Sequence, residues 1–521
     1  MSPRAVAAAL LALTLVPFAP TPARAVTKLE GEYQLMAEMR KRDRAYPWDF
    51  DANSFDNFDN AQLRLFSAPR PGVEAFLKME SEWHPSDNNG ARPEFQYREA
   101  HVRFRRELGK RGFDSYLFSK QDRFWVDSYL INYVNGRGGA QGARLETWGF
   151  GGFNTVFIVG DQSNQFDPKS FSANDPVIPR DSLAAQRELR TDDLYVVRLR
   201  REFFKDQRLR LGFTYNRFEG WRGRDSVSTP QQWASVFGFD SRYRWGKTDL
   251  ALEYGESRPT FDEERSLNGP VTIGKRPTGL RLSDRSVIQA EIRSLKVGTP
   301  TLGFLNVTPG WWSRGPRYSN ALGGPSSDET GFILQSYYLL PERAITYSNQ
   351  YLSYSNKALS RNATHEMYNE LYIEFVNGFT GKTSYRRRDS FSPSGGILRK
   401  DTHLDWFNEL QVESRLSWMR VQSKLRDIGR PERKQLFVIE NSLNLTAKTK
   451  VYNRFAFGND ASILRKGLFT QLQYRPTGNM EMFLQYGPDS IGGGGVPVDE
   501  GQLTGNGDQF DVVKFILKGN F

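Results

Sequence analysis

The sequence has no cysteine, only four histidines, and no apolar run approaching the 18–20 residues that a membrane-spanning helix requires. Without cysteine there is no disulfide, no thiolate metal site, no cysteine nucleophile and no lipid-modified cysteine. The histidines His84, His101, His365 and His403 are scattered, no two at metal-ligand spacing. No serine sits in a nucleophile-elbow pattern, so the residues point away from an enzyme, and from a barrel hydrolase in particular. No cofactor is implied. Mean hydropathy is −0.60 over 521 residues, which taken alone would describe a soluble protein.

The N-terminus contradicts that description. It opens "MSPRAVAAALLALTLVPFAPTPARA", one arginine, an Ala/Leu core, a proline break and Ala23-Arg24-Ala25, which reads as a cleaved secretory signal over residues 1–25. Export changes what the charge of +11 means. Nucleic acid is excluded as a partner, leaving anionic solutes, polysaccharide or lipopolysaccharide.

Glycine (46 residues) and aromatics (13%) are plentiful, and period-two alternation recurs from the expected cleavage site onward. In "LEGEYQLMAEMR", Leu29, Tyr33, Leu35 and Met39 alternate with Glu30, Glu32, Gln34 and Glu38. "VEAFLKMESEW" repeats the design, and the polar alternates are densely charged. Tight connections such as "SAPRPG", "ELGKRG", "RWGKTD", "VNGFTG" and "YRPTGN" carry hairpin residues. Between them lie long polar stretches near 162–190, 218–230, 258–285, 309–329 and 488–510.

Short turns alternating with long loops are the signature of a transmembrane antiparallel up-and-down β-barrel, with short periplasmic turns and long outer loops. Such a barrel satisfies every backbone group in lipid without helices, and closure removes both sheet edges. Residues 26–521 are expected to form one barrel without a plug domain, of even strand number, about 24 by hairpin count within an 18–24 range. The segments near 60–68 and 142–161 are the weakest strands in that count.

Apolar alternates then meet lipid and charged alternates the lumen. This assigns Arg103, Arg105, Arg198, Arg200, Arg208, Arg210, Arg242, Arg244, Arg386, Arg388 and Arg420 to the inner face as candidates for guiding anions. Arg103 to Arg210 form the densest group. Glu253, Glu291, Glu370, Glu374, Glu409, Glu413 and Glu440 face them, so pairing that merely fills and stabilises the barrel competes with the guiding role. Trp83, Trp245, Trp418, Tyr254, Tyr354 and Tyr486 fall near strand ends, as interfacial girdles require. In "DFDANSFDNFDN", Asp49, Asp51 and Asn53 match the first spacings of a Ca²⁺ loop, but Ser54 and Asn60 replace its glycine and bidentate glutamate. No metal is assigned there.

The opening hairpins, "LEGEYQLMAEMRKRDRAYPWDFDANSFDNFDNAQLRLFSAPRPGVEAFLKMESEW", and "EFQYREAHVRF" resemble the alginate-export family of porin-like outer-membrane barrels of Gram-negative bacteria. The resemblance spans about the first 160 residues. It implies an 18-strand, Arg-rich channel passing an anionic polysaccharide or small anionic solutes. The terminal Phe521 resembles the signal read by the barrel-assembly machinery. The expected protein is a passive outer-membrane channel for polar, anionic solutes, with lipid and lipopolysaccharide around it. The alternative is a scaffold barrel with a closed lumen.

Overall fold

The computed structural model describes residues 26–41, 58–83, 96–121, 141–161, 192–220, 232–258, 284–299, 301–316, 328–340, 344–356, 362–394, 397–460, 463–487 and 511–520. It also describes Val126, Ser128, Leu130, Ile131, Tyr133, Tyr318 and Asn320, but not Lys205 within 192–220. The expected signal segment, Asp49, Asp51, Asn53, His84 and Phe521 lie outside the described residues.

All described strands belong to one antiparallel sheet. In chain order they pair as hairpins across short turns. β1 (Val26–Lys41) pairs with β2 (Phe58–Arg70), which forms a hairpin with β3 (Val73–Trp83), and β4 (Gln96–Leu108) follows with β5 (Arg111–Ser119). Next come β6 (Gln141–Phe150) with β7 (Phe153–Asp161), β8 (Asp192–Phe203) with β9 (Leu209–Gly220), and β10 (Gln232–Trp245) with β11 (Thr248–Arg258). β12 (Ser286–Arg293) and β13 (Leu295–Thr299) both pair with β14 (Gly303–Arg314). The break between them is Ser294, a non-glycine residue at φ 60°. β15 (Glu329–Leu340) and β16 (Ile345–Ser355) follow, then β17 (Ala363–Val376) with β18 (Phe379–Ser394) and β19 (Ile397–Glu413) with β20 (Ser417–Arg426). β21 (Lys434–Asn444) with β22 (Thr449–Asp460), β23 (Ile463–Thr477) with β24 (Met480–Tyr486), and β25 (Asp511–Asn520) complete the chain. Because β12 and β13 make one stave, 25 segments form 24 staves.

Closure is direct. β25 pairs with β1 from Glu32↔Asn520 to Lys41↔Asp511, so no edge of the sheet is left open. Of the 18–24 range, the upper value is the one observed; the weak segments are the strands β2, β6 and β7.

The alternation read from the sequence sets the two faces. On β10 and β11, Phe239, Tyr243, Leu250 and Leu252 are exposed, while Val236, Asp240, Ala251 and Glu253 are buried. Trp245 is 72% exposed. In water such a wall would be a liability; against hydrocarbon each exposed side chain is favourable at about 25 cal/mol per Å². Among the described residues no helix is long and apolar enough to cross a membrane.

Two of the expected girdle residues face the other way. Trp418 is on the inner face of β20 with Arg420, its ring 6.1 Å from that of the buried Tyr452. Tyr354 sits in the inner-face row with Gly331 and the buried Trp312. The reason is parity: each is an even number of residues from a lumen-facing neighbour on its strand. Trp245, Tyr254 and Tyr486 do face outward, and the side chain of Trp83 lies outside the described ones.

Candidate functional site in the lumen

The inner face carries apolar residues as well as charges. Ile158, Leu194, Val196, Val236 and Val287 are all at most 2% exposed, and all occupy lumen-facing positions on β7, β8, β10 and β12. What covers them is the β5–β6 connection, which turns inward. Val126, Ile131 and Tyr133 from that connection, with Tyr318 from the β14–β15 connection, join them in one buried cluster.

Polar anchors fix this in-turned segment to the wall. The Ile131 amide donates to the Glu253 carboxylate on β11. The Tyr133 hydroxyl donates to the Tyr254 carbonyl at 2.9 Å. The Tyr133 carbonyl accepts from Asn216 of β9 at 2.7 Å and from Asn320 of the β14–β15 connection at 3.0 Å. In the amide orientation that satisfies both its ends, Gln289 of β12 donates to the Leu130 carbonyl at 3.0 Å and accepts from Arg314. The fit is steric too. A Cβ on Gly238 would lie 2.3 Å from the Tyr133 ring, so the absent side chain at that position is the slot the ring fills. Burial, then the Glu253 charge, pushes the Tyr133 phenol above its ordinary range and keeps it a hydrogen-bond donor.

Most of the arginines considered as anion guides are tied to carboxylates of described residues. Arg103 forks onto Asp114 (2.6 Å) and reaches Glu74 (3.1 Å). Arg105 pairs with Glu107, Arg208 with Asp206, and Arg210 with Glu202. Arg198 and Asp240 are both within 3% of full burial, with Nη2 donating to Oδ2 at 3.0 Å. That pair spans from β8 to β10 across Gly212 of β9, where a Cβ would lie 2.4 Å from the carboxylate. Arg200 stands on the same face between Asn154 and Gly212. Arg242 and Arg244 share Asp249. Arg386 forks onto Glu366 at 2.9 and 3.1 Å. Arg420 binds Glu440 at 2.7 Å, and the same fully buried carboxylate faces Arg454 at 3.0 Å. Arg388 is exposed, in register with Glu366 and His403, and forms no ion pair with a described residue.

Three segments thus converge: the in-turned connections, the apolar inner patch behind them, and the charge ladders on either side. The apolar patch is absent from the expectations drawn from alternation. Its signal is present, since "LYVV" (194–197) is apolar on both faces of a strand and "LIN" (130–132) is followed by Tyr133, too apolar for an exposed outer loop. The bore is therefore occupied along the β7–β12 wall. Among the described residues no group of three potential metal ligands occurs.

No family model and no curated protein matches the sequence. Among solved structures, similar chains include the translocation pore of the P pilus usher PapC, with 7% identity, 94% of this chain and 99% of that one covered, and a TM-score of 0.40. The siderophore receptor PirA of Pseudomonas aeruginosa gives 8%, 96% and 81%, with a TM-score of 0.45. The ferric enterobactin receptor PfeA of the same species, in complex with enterobactin, gives 10%, 94% and 81%, with a TM-score of 0.43. Chains this distant lend neither an activity nor a ligand. Membership of the alginate-export family is not confirmed, and the 24 staves exceed the 18 that family implies.

Proposed function

We propose that the protein is an outer-membrane channel of a Gram-negative bacterium. It passes polar, anionic solutes through a lumen narrowed along one wall by the in-turned β5–β6 and β14–β15 connections. The observation that carries this is the closed barrel whose outward alternates are apolar and whose inward alternates are charged, with one side of the bore filled by an anchored segment. A barrel of this stave number left empty would be wide and unselective. An anchored constriction beside arginine-rich ladders supplies both a size limit and a field for anions. Export of an anionic polysaccharide, as the alginate-export resemblance implies, is the finer form of the same proposal.

The saturation of the arginines by carboxylates favours a second reading, a scaffold barrel with a closed lumen. Planar-bilayer recording separates the two. The channel reading expects steady single-channel conductance from the pure protein and a reversal potential favouring anions. Absence of conductance in the intact protein would sink it in favour of the scaffold.

A further inference from the structure

The lipid-facing wall should carry no charge within the apolar band, because a cation at the bilayer mid-plane costs about 2–4 kcal/mol. Arg217 on β9 and Arg258 on β11 nonetheless occupy outward positions. They flank Ser235 of β10 in a single lateral row, with Arg217↔Ser235 and Ser235↔Arg258 in register. Phe239, two pairs further on in the same outward set, is 54% exposed and fixes the face. Their place along the wall is informative. Ten residues separate Ser235 from Trp245 at the short-turn end, about 33 Å along the strand, or about 25 Å of height at a tilt near 40°. That height equals the apolar band of an outer-membrane barrel, so with Trp245 at one interface the arginine row stands at the other.

The row is built as a clamp. The two backbones are two strand spacings apart, about 9.6 Å, with only a buried serine between them. The Tyr215 and Phe237 rings, 4.9 Å apart, form the floor beneath. Arg258 lies 5.0 Å over the Phe237 ring and makes a 3.7 Å ion pair with Glu256, one pair nearer the mid-membrane. Two forks above an aromatic floor at headgroup height fit a phosphate. A second outward basic pair, Arg387 and Lys400, brackets Asp389 at 3.1 and 3.4 Å.

We propose that Arg217 and Arg258 bind the phosphate of a phosphorylated glycolipid in the leaflet facing the long connections. The proposal rests on the outer-membrane reading, but its readout is lipid binding and not conductance, so the two can fail separately. The protein is folded into phosphatidylcholine vesicles containing diphosphorylated lipid A, extracted, and its retained lipid A counted by native mass spectrometry. Retention is expected to fall about tenfold in R217Q/R258Q and to remain unchanged in R387Q/K400Q. Lipid A stripped of phosphate should be retained no better by the wild-type protein than by R217Q/R258Q. Heat-modifiable migration on gels checks that each variant is folded; R217K/R258K, which keeps charge and loses the fork, keeps the proposal testable if the glutamine variant does not fold. Equal retention by folded R217Q/R258Q and wild type, or equal retention of phosphorylated and stripped lipid by the wild type, overturns it.

Discussion

Gly238→Ala tests the anchored constriction with one methyl group. Gly238 is not in the left-handed backbone region, so alanine fits the strand, and the obstacle is the Tyr133 ring 2.3 Å from the new Cβ. Seating both is impossible without moving the ring, and moving it withdraws a side chain at 0% exposure next to Ile131, also at 0%. Core disruptions of this kind cost about 3 kcal/mol. At 1.4 kcal/mol per decade, the attached state of the segment loses a factor of about 10². Two assays read this. The Ile131 amide, bonded to Glu253, should exchange its hydrogen about 100-fold faster, and single-channel recordings should lose their steady level and show larger, fluctuating currents. Adding Tyr133→Phe should not rescue either readout, whereas Tyr133→Ala in the Gly238→Ala background should remove the fluctuations caused by the clash. Gly519→Ala, at a position with no atom within 4 Å of a built Cβ, is the matched control. Unchanged Ile131 exchange and unchanged current in Gly238→Ala would refute the anchored segment.

Alkaline pH should act on the same segment. The phenols of Tyr133 and Tyr318 are both pushed up, by burial first, so the folded state holds their protons more tightly than the unfolded state. Their contribution is therefore complete below about pH 10 and is lost as pH rises above it. Ile131 exchange, corrected for intrinsic base catalysis, should accelerate there in wild type and less so in Tyr133→Phe. Glu440→Gln should cost about 3–5 kcal/mol in urea unfolding of the folded barrel, because it leaves Arg420 and Arg454 facing a neutral group inside the wall. A shift in midpoint corresponding to less than about 1 kcal/mol would argue against that buried triad. In reversal-potential measurements Arg388→Gln should lower anion preference, since Arg388 is exposed without a described ion-pair partner, while the double change Arg198→Met with Asp240→Leu should leave selectivity unaltered.

The wall of this barrel was legible because its two faces differ in kind. Alternation such as Leu250, Leu252 against Ala251, Glu253 is a direct record of an exposed apolar face and a buried inward face. The inner face was legible only in part, because its positions follow from parity but its partners do not. Arg198 and Asp240 are 42 residues apart and meet across an intervening strand, which no local pattern encodes. The in-turned segment was hidden for another reason. The β5–β6 connection was not among the long stretches singled out from composition, and its apolar residues Ile131 and Tyr133 are what mark it as buried. Trp418 and Tyr354 show the same limit: an aromatic near a strand end fits a girdle or a lumen equally, and only its parity against a resolved neighbour decides.

The pairing of the arginines changes what the lumen's charge can do. A guanidinium forked onto a carboxylate and withdrawn from water, as Arg198 is onto Asp240, contributes a dipole and not a net charge, and its field falls off quickly along the bore. Half-exposed pairs differ: Arg386, at 42% side-chain exposure against 14% for Glu366, presents its cation to the lumen and keeps its anion behind it. If the barrel conducts as proposed, its selectivity is set by how unequally the two partners of each pair are exposed, and not by how many arginines line the wall. Arg242 and Arg244 sharing one less exposed Asp249 follow the same rule, with two cations forward of one carboxylate. On the proposed channel reading, those two, with Arg386 and Arg388, are the positions from which an anion crossing the bore would feel attraction. The buried Arg198 holds the wall in shape beside the in-turned segment.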